Sequence, residues 1–280
     1  MTNQQDILSA LTRTLEPGKV RDDADALATW GRDWSKQYDP KPLAIVFPKS
    51  TEQVQALVRL ANEMKFALVP SGGRTGLSGG ATATRGEVVV SFDYMNRILA
   101  FSESDRSLRC QAGVVTRQLQ QFAADKGLFY PVDFASSGSS QIGGNIATNA
   151  GGIKVIKYGM TRDWVLGLQV VTGTGEVLEL NHDLLKNNTG YDLRHLFIGS
   201  EGTLGFITEA TMKLTRAPEN LTVLVLGLTD IDNTMDVLKR FQAEFDLTAY
   251  EFFSHQAMCH VLAHAPVPAP FETEAPFYAL

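Results

Sequence analysis

The sequence predicts an α+β fold, and three observations predict it. Over residues 43–69 a strand, a helix and a second strand succeed one another, and the glycine-rich stretch PSGGRTGLSGG at 70–80 then leads back into strand at 87–92. Strands at 165–171, 176–180 and 204–214 follow in the second half of the chain. After Pro218 the character changes and a new strand–helix–strand succession begins. Strand–helix–strand units beside runs of strands make an α+β architecture.

Each element has a local cause. At 6–16, Ile7, Leu8, Leu11 and Leu15 fall at helical spacing, and Pro17-Gly18 ends the helix. Residues 25–38 carry Trp30, Trp34 and Tyr38 four apart, a stripe read as packing of an N-terminal arm rather than as a ligand wall. The strand at 43–47 is closed by Pro48, and Ser50 with Gln53 forms a capping box. The helix so capped places Val54, Leu57, Val58, Ala61 and Met64 on one face. The next strand, 66–69, delivers the loop 70–80 at its carboxyl end, where α/β sheets bind ligands. Strands at 98–101 and 108–112 come next; Thr116 then caps a helix that turns Leu119, Phe122 and Ala123 inward, with Gly127 as its C′ residue. The strands 165–171 and 176–180 flank the turn Thr172-Gly173-Thr174-Gly175. Beyond Pro218 we expect strand at 221–228, an amphipathic helix at 232–245 through Met235, Leu238, Phe241 and Phe245, and strand at 247–253. The final PFYAL reads as a strand start with few partners, so we expect a fragment, or a chain completed by another polypeptide.

Bulk properties narrow the function. At 280 residues, 44% apolar and 20% charged, the composition is that of an ordinary globular chain with room for a sizeable core. A net charge of −6 without a Lys/Arg run argues against a nucleic-acid partner. The two cysteines, Cys110 and Cys259, form neither a metal spacing nor a disulfide framework, which fits a reducing compartment. MTNQQDILSA lacks the charged and apolar regions of a secretory signal, and no apolar run approaches a membrane span, so a cytoplasmic location is expected.

Three stretches share one composition: 70–80, PVDFASSGSSQIGGNIATNAGG at 131–152, and GSEGTLGFI at 199–207. Glycines let the backbone come close to a large polar group, and free N–H groups with short hydroxyls and amides supply hydrogen bonds, as in anion-binding nests. The loop 70–80 is no Walker loop, because no Gly-Lys-Ser/Thr ends it. Nor is it a dinucleotide fingerprint, which opens directly into a helix.

The motifs PSGGRTGLSGG, PVDFASSGSSQIGGNIATNAGG, YGMTRDWVLGLQVV, NNTGYDLRHLFIGSEGTLGFIT and PAPFETEAPFYAL run through most of the chain. Together they resemble the FAD-binding domain of the vanillyl-alcohol oxidase / p-cresol methylhydroxylase superfamily, in its branch of FAD-linked D-2-hydroxy-acid dehydrogenases. The resemblance implies an N-terminal helical arm at 1–42 and a two-part FAD-binding domain at 43–217, divided into about 43–106 and 107–217. It also implies the beginning of an α+β substrate domain at 218–280. It places Pro70, Ser71, Gly72, Gly73, Arg74, Thr75 and Gly76 around the FAD pyrophosphate. Ser139, Ser140, Gly143, Gly144, Thr148, Asn149, Ala150, Gly151 and Gly152 would run along the pyrophosphate, ribityl chain and flavin ring. Glu201, Gly202, Gly205 and Ile207 would close the adenine side, with Glu201 fixing its loop rather than acting as a base. Relatives with covalent FAD have a His in the first loop; here Arg74 stands there and the nearest His is His182, so non-covalent FAD is expected.

Lys154 and Lys157 read as solvated surface, and Asn188, Tyr191 and Asp192 either approach the flavin or cap a helix at 193–197. His260 and His264 are four apart, but without a carboxylate neighbour they and His255 read as structural rather than as metal ligands. The resemblance puts the catalytic groups and any divalent metal beyond Leu280. It implies hydride transfer from C2 of a D-2-hydroxy acid to flavin N5, with D-2-hydroxyglutarate ahead of D-lactate or glycolate. Electrons would pass to an electron-transfer flavoprotein or a quinone, and a homodimer is left open. Two other readings stay open: a flavin-binding subunit without catalysis of its own, and a flavin reductase using NADPH.

Overall fold

Ala44, Ile45 and Val46 are fully buried, and so are Val88, Val89 and Val90 beside them. Apolar runs without alternation suit parallel strands covered on both faces, and these two triplets do pair in parallel. The structure, a computed structural model, describes residues 3–181 and 184–280, so His182 lies outside the described residues. It divides into two compact units. The first takes in residues 1–131, 135–150 and 161–216; the second takes in 132–134, 151–160 and 217–280.

The first unit opens with α1 (Gln4–Thr14), β1 (Val20–Arg21), α2 (Ala24–Trp30), β2 (Ala44–Val46), α3 (Thr51–Met64), β3 (Leu68–Ser71) and β4 (Val88–Ser91). The capping pattern at α3 is real but shifted: Gln53 N donates to Ser50 Oγ at 3.4 Å, while Gln53 Oε1 accepts from Lys49 N at 2.7 Å. The four strands form one sheet in the order β1-β2-β4-β3, with β1 antiparallel at one edge. β4 therefore enters between β2 and β3, and the crossover that carries it there, residues 72–87, is the glycine-rich loop without a helix.

The aromatic stripe at Trp30, Trp34 and Tyr38 does not exist as a stripe. α2 stops at Trp30, where Gly31 packs too closely on Pro42 to carry a side chain. Trp30 meets Phe47 edge to face at 5.4 Å, whereas Trp34 and Tyr38 are exposed.

Then follow β5 (Ile98–Ser102), β6 (Ser107–Gln111), α4 (Thr116–Asp125), α5 (Ile142–Ala147), α6 (Val155–Tyr158, in the second unit), β7 (Val165–Thr172), β8 (Val177–Leu180), α7 (Arg194–Phe197) and β9 (Gly205–Lys213). The second sheet of the first unit is antiparallel, in the order β5-β6-β9-β7-β8. α3 is tied to β7 and the turn that follows it: Thr51 Oγ1 donates to Gln169 Oε1 at 2.5 Å, Gln55 Nε2 to Gly175 O at 2.7 Å and Asn62 Nδ2 to Gly173 O at 2.8 Å. The sequence reading of Thr116 as a cap is corrected. Val115 is the N-cap, and the Thr116 side chain turns inward instead. Likewise 131–152 is not all loop, because Ile142 and Ile146 are fully buried and fix the turn between them as α5.

In the second unit β10 (Leu226–Leu228), α8 (Asp232–Glu244), β11 (Phe252–Ser254), α9 (His255–His264) and β12 (Phe277–Ala279) form a sheet in the order β10-β12-β11. The strands at 221–228 and 247–253 are thus much shorter than expected. The expectation of few partners for PFYAL is overturned. β12 pairs antiparallel with both neighbours, filling the gap in a split strand–helix–strand unit, and Tyr278 at its centre stacks on Phe253 at 5.3 Å. No helix among the described residues is long and apolar enough to cross a membrane.

Candidate functional site

The three glycine-rich stretches meet in the first unit through residues 70–80, 135–150 and 199–207, backbone against backbone. Loop one leaves β3 at Ser71. A Cβ on Gly73 would overlap Ser139 O and stand 2.8 Å from Ser140 Cα, so only glycine allows the second loop this close. A Cβ on Gly72 would face Gly144 Cα at 3.8 Å. Loop three closes on the end of α5, where Gly199 N donates to Ile146 O at 3.0 Å and Glu201 N to Ala147 O at 2.8 Å. Each loop also holds one non-glycine residue in the left-handed region: Arg74 at φ +57°, Asn149 at +48° and Glu201 at +51°. Strain of this kind persists where surrounding structure fixes it, and alternation of hand in a loop turns successive N–H groups to one side.

Loop one presents those donors. Among the described residues, the backbone N–H groups of Gly72, Gly73, Arg74, Thr75 and Gly76 have no protein acceptor. Gly72 to Thr75 are half-buried, where unpaired donors are costly and uncommon. Two buried polar atoms next to this loop lack partners as well, Ser71 Oγ and Gln141 Oε1. A row of donors with little positive charge of its own suits a pyrophosphate. The Arg74 guanidinium turns back on the protein, 3.5 Å from Asp93 Oδ2 and over the Trp30 ring.

The second loop supplies backbone and space. A Cβ on Gly144 would meet nothing within 4 Å, while one on Gly143 would stand 2.7 Å from Ala112 Cβ. Gly143 therefore packs inward and Gly144 faces outward. The hydroxyls expected to serve a ligand are used internally. Ser140 Oγ pairs with Thr116 Oγ1 at 2.7 Å, and Asn145 Nδ2 donates to that Thr116 oxygen at 2.7 Å. Thr148 Oγ1 donates to Gly144 O at 3.0 Å, and Ser139 Oγ to Ser136 O at 3.4 Å. Asn149 Oδ1 accepts from Arg162 N at 2.9 Å, and Ala150 O accepts from Thr161 Oγ1 at 2.8 Å.

The remaining expected residues are more dispersed. Pro70 and Ser71 end β3, with Pro70 against Gly202. Gly205 starts β9 with Val171 O 2.6 Å from where its Cβ would be, and Ile207 is buried in β9 opposite Val170. Gly151 and Gly152 belong to the second unit, where Gly152 packs on the Asp133 backbone.

Lys154 and Lys157 are not merely solvated: Lys154 pairs with Asp133 at 3.1 Å and Lys157 with Asp246 at 2.5 Å, the latter bond raising the Lys157 pKa. Leu193 is the N-cap of α7 and makes no side-chain cap bond; Asp192, just before it, accepts from Arg194 N at 3.3 Å, and its carboxyl is held below the usual range by the hydrogen bond from the Arg194 side chain. Tyr191 is 94% exposed. Among the described residues no group of three or more metal-ligating side chains is assembled.

Sequence reasoning read Trp30 only as packing and did not single out Asp93 or Gln141. Trp30 Nε1 and Gln141 Nε2 both donate to the Asp93 carboxylate at 2.7 Å, joining α2, the end of β4 and the second loop. Asp93 stands two residues beyond the buried strand β4 and opens a turn, and that placement was the one signal available for it.

Residues 42–181 match the family model described as "FAD binding domain". A protein of Stutzerimonas stutzeri (strain A1501) named D-2-hydroxyglutarate dehydrogenase is 68% identical over 274 residues, covering 98% of this chain and 59% of that protein. The mitochondrial D-2-hydroxyglutarate dehydrogenase of Bos taurus is 38% identical over 278 residues, covering 99% of this chain and 51% of its own length. The chain thus spans about half the length of the curated relatives it matches. Among solved structures, an alkyldihydroxyacetonephosphate synthase superposes with a TM-score of 0.83 at 25% identity, over 98% of this chain and 55% of that one.

Proposed function

The chain belongs to the family of FAD binding domains, and from that premise we propose that it holds FAD for the oxidation of a D-2-hydroxy acid, with D-2-hydroxyglutarate the preferred substrate. The observation that carries the cofactor half of this reading is the row of unpaired N–H groups on Gly72 to Gly76, set against the backbones of two further glycine-rich loops. The 68% identity to a D-2-hydroxyglutarate dehydrogenase supports the substrate half.

In this reading residues 43–217 are the cofactor-holding domain and 218–280 begin the substrate domain. The N–H groups of Gly72 to Gly76 take the pyrophosphate without a basic patch, as backbone nests do. Gly144 leaves room for the cofactor to lie along α5, and the bonds among Thr116, Ser140 and Asn145 hold that helix in place. Arg74 neutralises Asp93, so that this carboxylate does not oppose the phosphates. FAD, when bound, supplies the acceptor for the hydride from C2 of the substrate. FAD is held without a covalent bond. The electron acceptor in this reading is a flavoprotein or a quinone. The third loop, through Glu201 and Gly202, closes the adenine side.

Anaerobic mixing of the complete FAD-loaded protein with D-2-hydroxyglutarate, D-lactate and glycolate tests this. Flavin absorbance should bleach fastest with D-2-hydroxyglutarate; equal or faster bleaching with D-lactate or glycolate contradicts the substrate assignment.

A further inference from the structure

Gln141 stands immediately before α5 and is 6% exposed. Its Nε2 donates to Asp93 Oδ1 at 2.7 Å. A carboxylate accepts and does not donate, so the amide must turn its NH2 toward Asp93; the orientation follows from the partner rather than from a choice between two similar atoms. Asp93 is itself held by Trp30 Nε1 at 2.7 Å and by Arg74 at 3.5 Å. The consequence falls on the other end of the amide. Gln141 Oε1 has no partner and lies 3.4 Å from the position a Cβ would take on Gly72.

A buried carbonyl without a donor is a standing cost to the fold. The surrounding N–H groups on Gly72 to Gly76 suit an anion, but Gln141 Oε1 cannot serve one, since it offers only lone pairs. It requires a hydroxyl or N–H within reach of the same loop. We propose that Gln141 is a cofactor-binding residue whose Oε1 accepts a hydrogen bond from a sugar hydroxyl of FAD, on the ribityl chain or the ribose, while Asp93 and Trp30 hold the amide in that orientation. The proposal rests on the FAD reading above and divides the labour of the site. Backbone donors take the phosphates, and one side-chain acceptor recognises that a polyol or sugar is attached to them.

The test compares Gln141→Met, which keeps length and removes both hydrogen bonds, with the unaltered chain, using three ligands. FAD affinity is followed by flavin fluorescence, and ADP and inorganic pyrophosphate by competition. One neutral hydrogen bond corresponds to a loss of about threefold or more. FAD should weaken by at least that factor, while pyrophosphate, which carries no sugar, should bind as before. If ADP weakens equally, the hydroxyl is on the ribose; if ADP is unaffected, it is on the ribityl chain. A smaller loss for FAD overturns the proposal, and so does an equal loss for pyrophosphate, which would mean that the loop was merely disturbed. Failure of the unaltered chain to bind FAD would instead overturn the reading on which the proposal rests. Gln141→Asn, which retains an amide but shortens its reach, carries the same expectations and serves if the Met variant does not fold.

Discussion

Gly202, at φ +74°, lies so close to Pro70 that a Cβ on it would overlap Pro70 Cγ. The contact joins the first and third glycine-rich loops. Gly202→Ala is therefore strained twice, by the left-handed backbone, about 1–2 kcal/mol for a residue with a Cβ, and by the overlap. It should lower the melting temperature of the cofactor-free chain and weaken FAD binding together. Unchanged melting would show that the loops are not held by this contact.

Gly143 and Gly144 separate packing from binding. Gly144→Val extends into open space and should leave the cofactor-free chain folded, at a helix-propensity difference well under about 1 kcal/mol, yet abolish FAD binding. Gly143→Ala pushes against Ala112 and should destabilise the fold itself. Circular dichroism melts paired with FAD titration read the two effects apart; full FAD occupancy in Gly144→Val would mean that the cofactor lies elsewhere.

Much of this was legible in the sequence, and the rest was not for physical reasons. The loops announced themselves because positive φ and close approach demand glycine, as at Gly73 and Gly202. The short helix α5 was hidden because Gly143 and Gly144 are poor helix formers, held helical by the burial of Ile142 and Ile146. β1, two residues long, has no local signature beyond its pairing with Ile45 and Val46. The place of β12 between β10 and β11 depends on partners far apart in sequence. So does the cluster of Trp30, Asp93 and Gln141, whose members carry no common spacing.

Thiol chemistry follows from burial. Desolvation, with the nearby Glu209 charge, pushes the Cys110 thiol up to about 12 from an ordinary 9.0, whereas Cys259 is exposed. A disulfide reagent at pH 8 should titrate one thiol in the native chain and two in denaturant; rapid reaction of both under native conditions would contradict the packing of β6. The unfolded thiol ionises near 9.0 and the folded one does not, so this group's contribution to stability is intact below pH 9 and declines as pH rises toward 12, by about 1.4 kcal/mol per unit.

Covalent attachment of FAD is not expected, since loop one contains no His. Acid precipitation of the FAD-loaded protein should leave all yellow colour in the supernatant; flavin retained on the peptide would contradict this.

The central claim is that Gly72 to Gly76, together with the second and third loops, hold FAD. Hydrogen exchange of the backbone amides, followed by mass spectrometry on the chain with and without saturating FAD, tests it most directly. The amides of Gly72 to Gly76, unpaired without cofactor, should exchange fast and slow markedly when FAD binds, with smaller protection at 139–150 and 199–207. Bound FAD that leaves exchange at 72–76 unchanged, and protects other segments instead, would contradict the account.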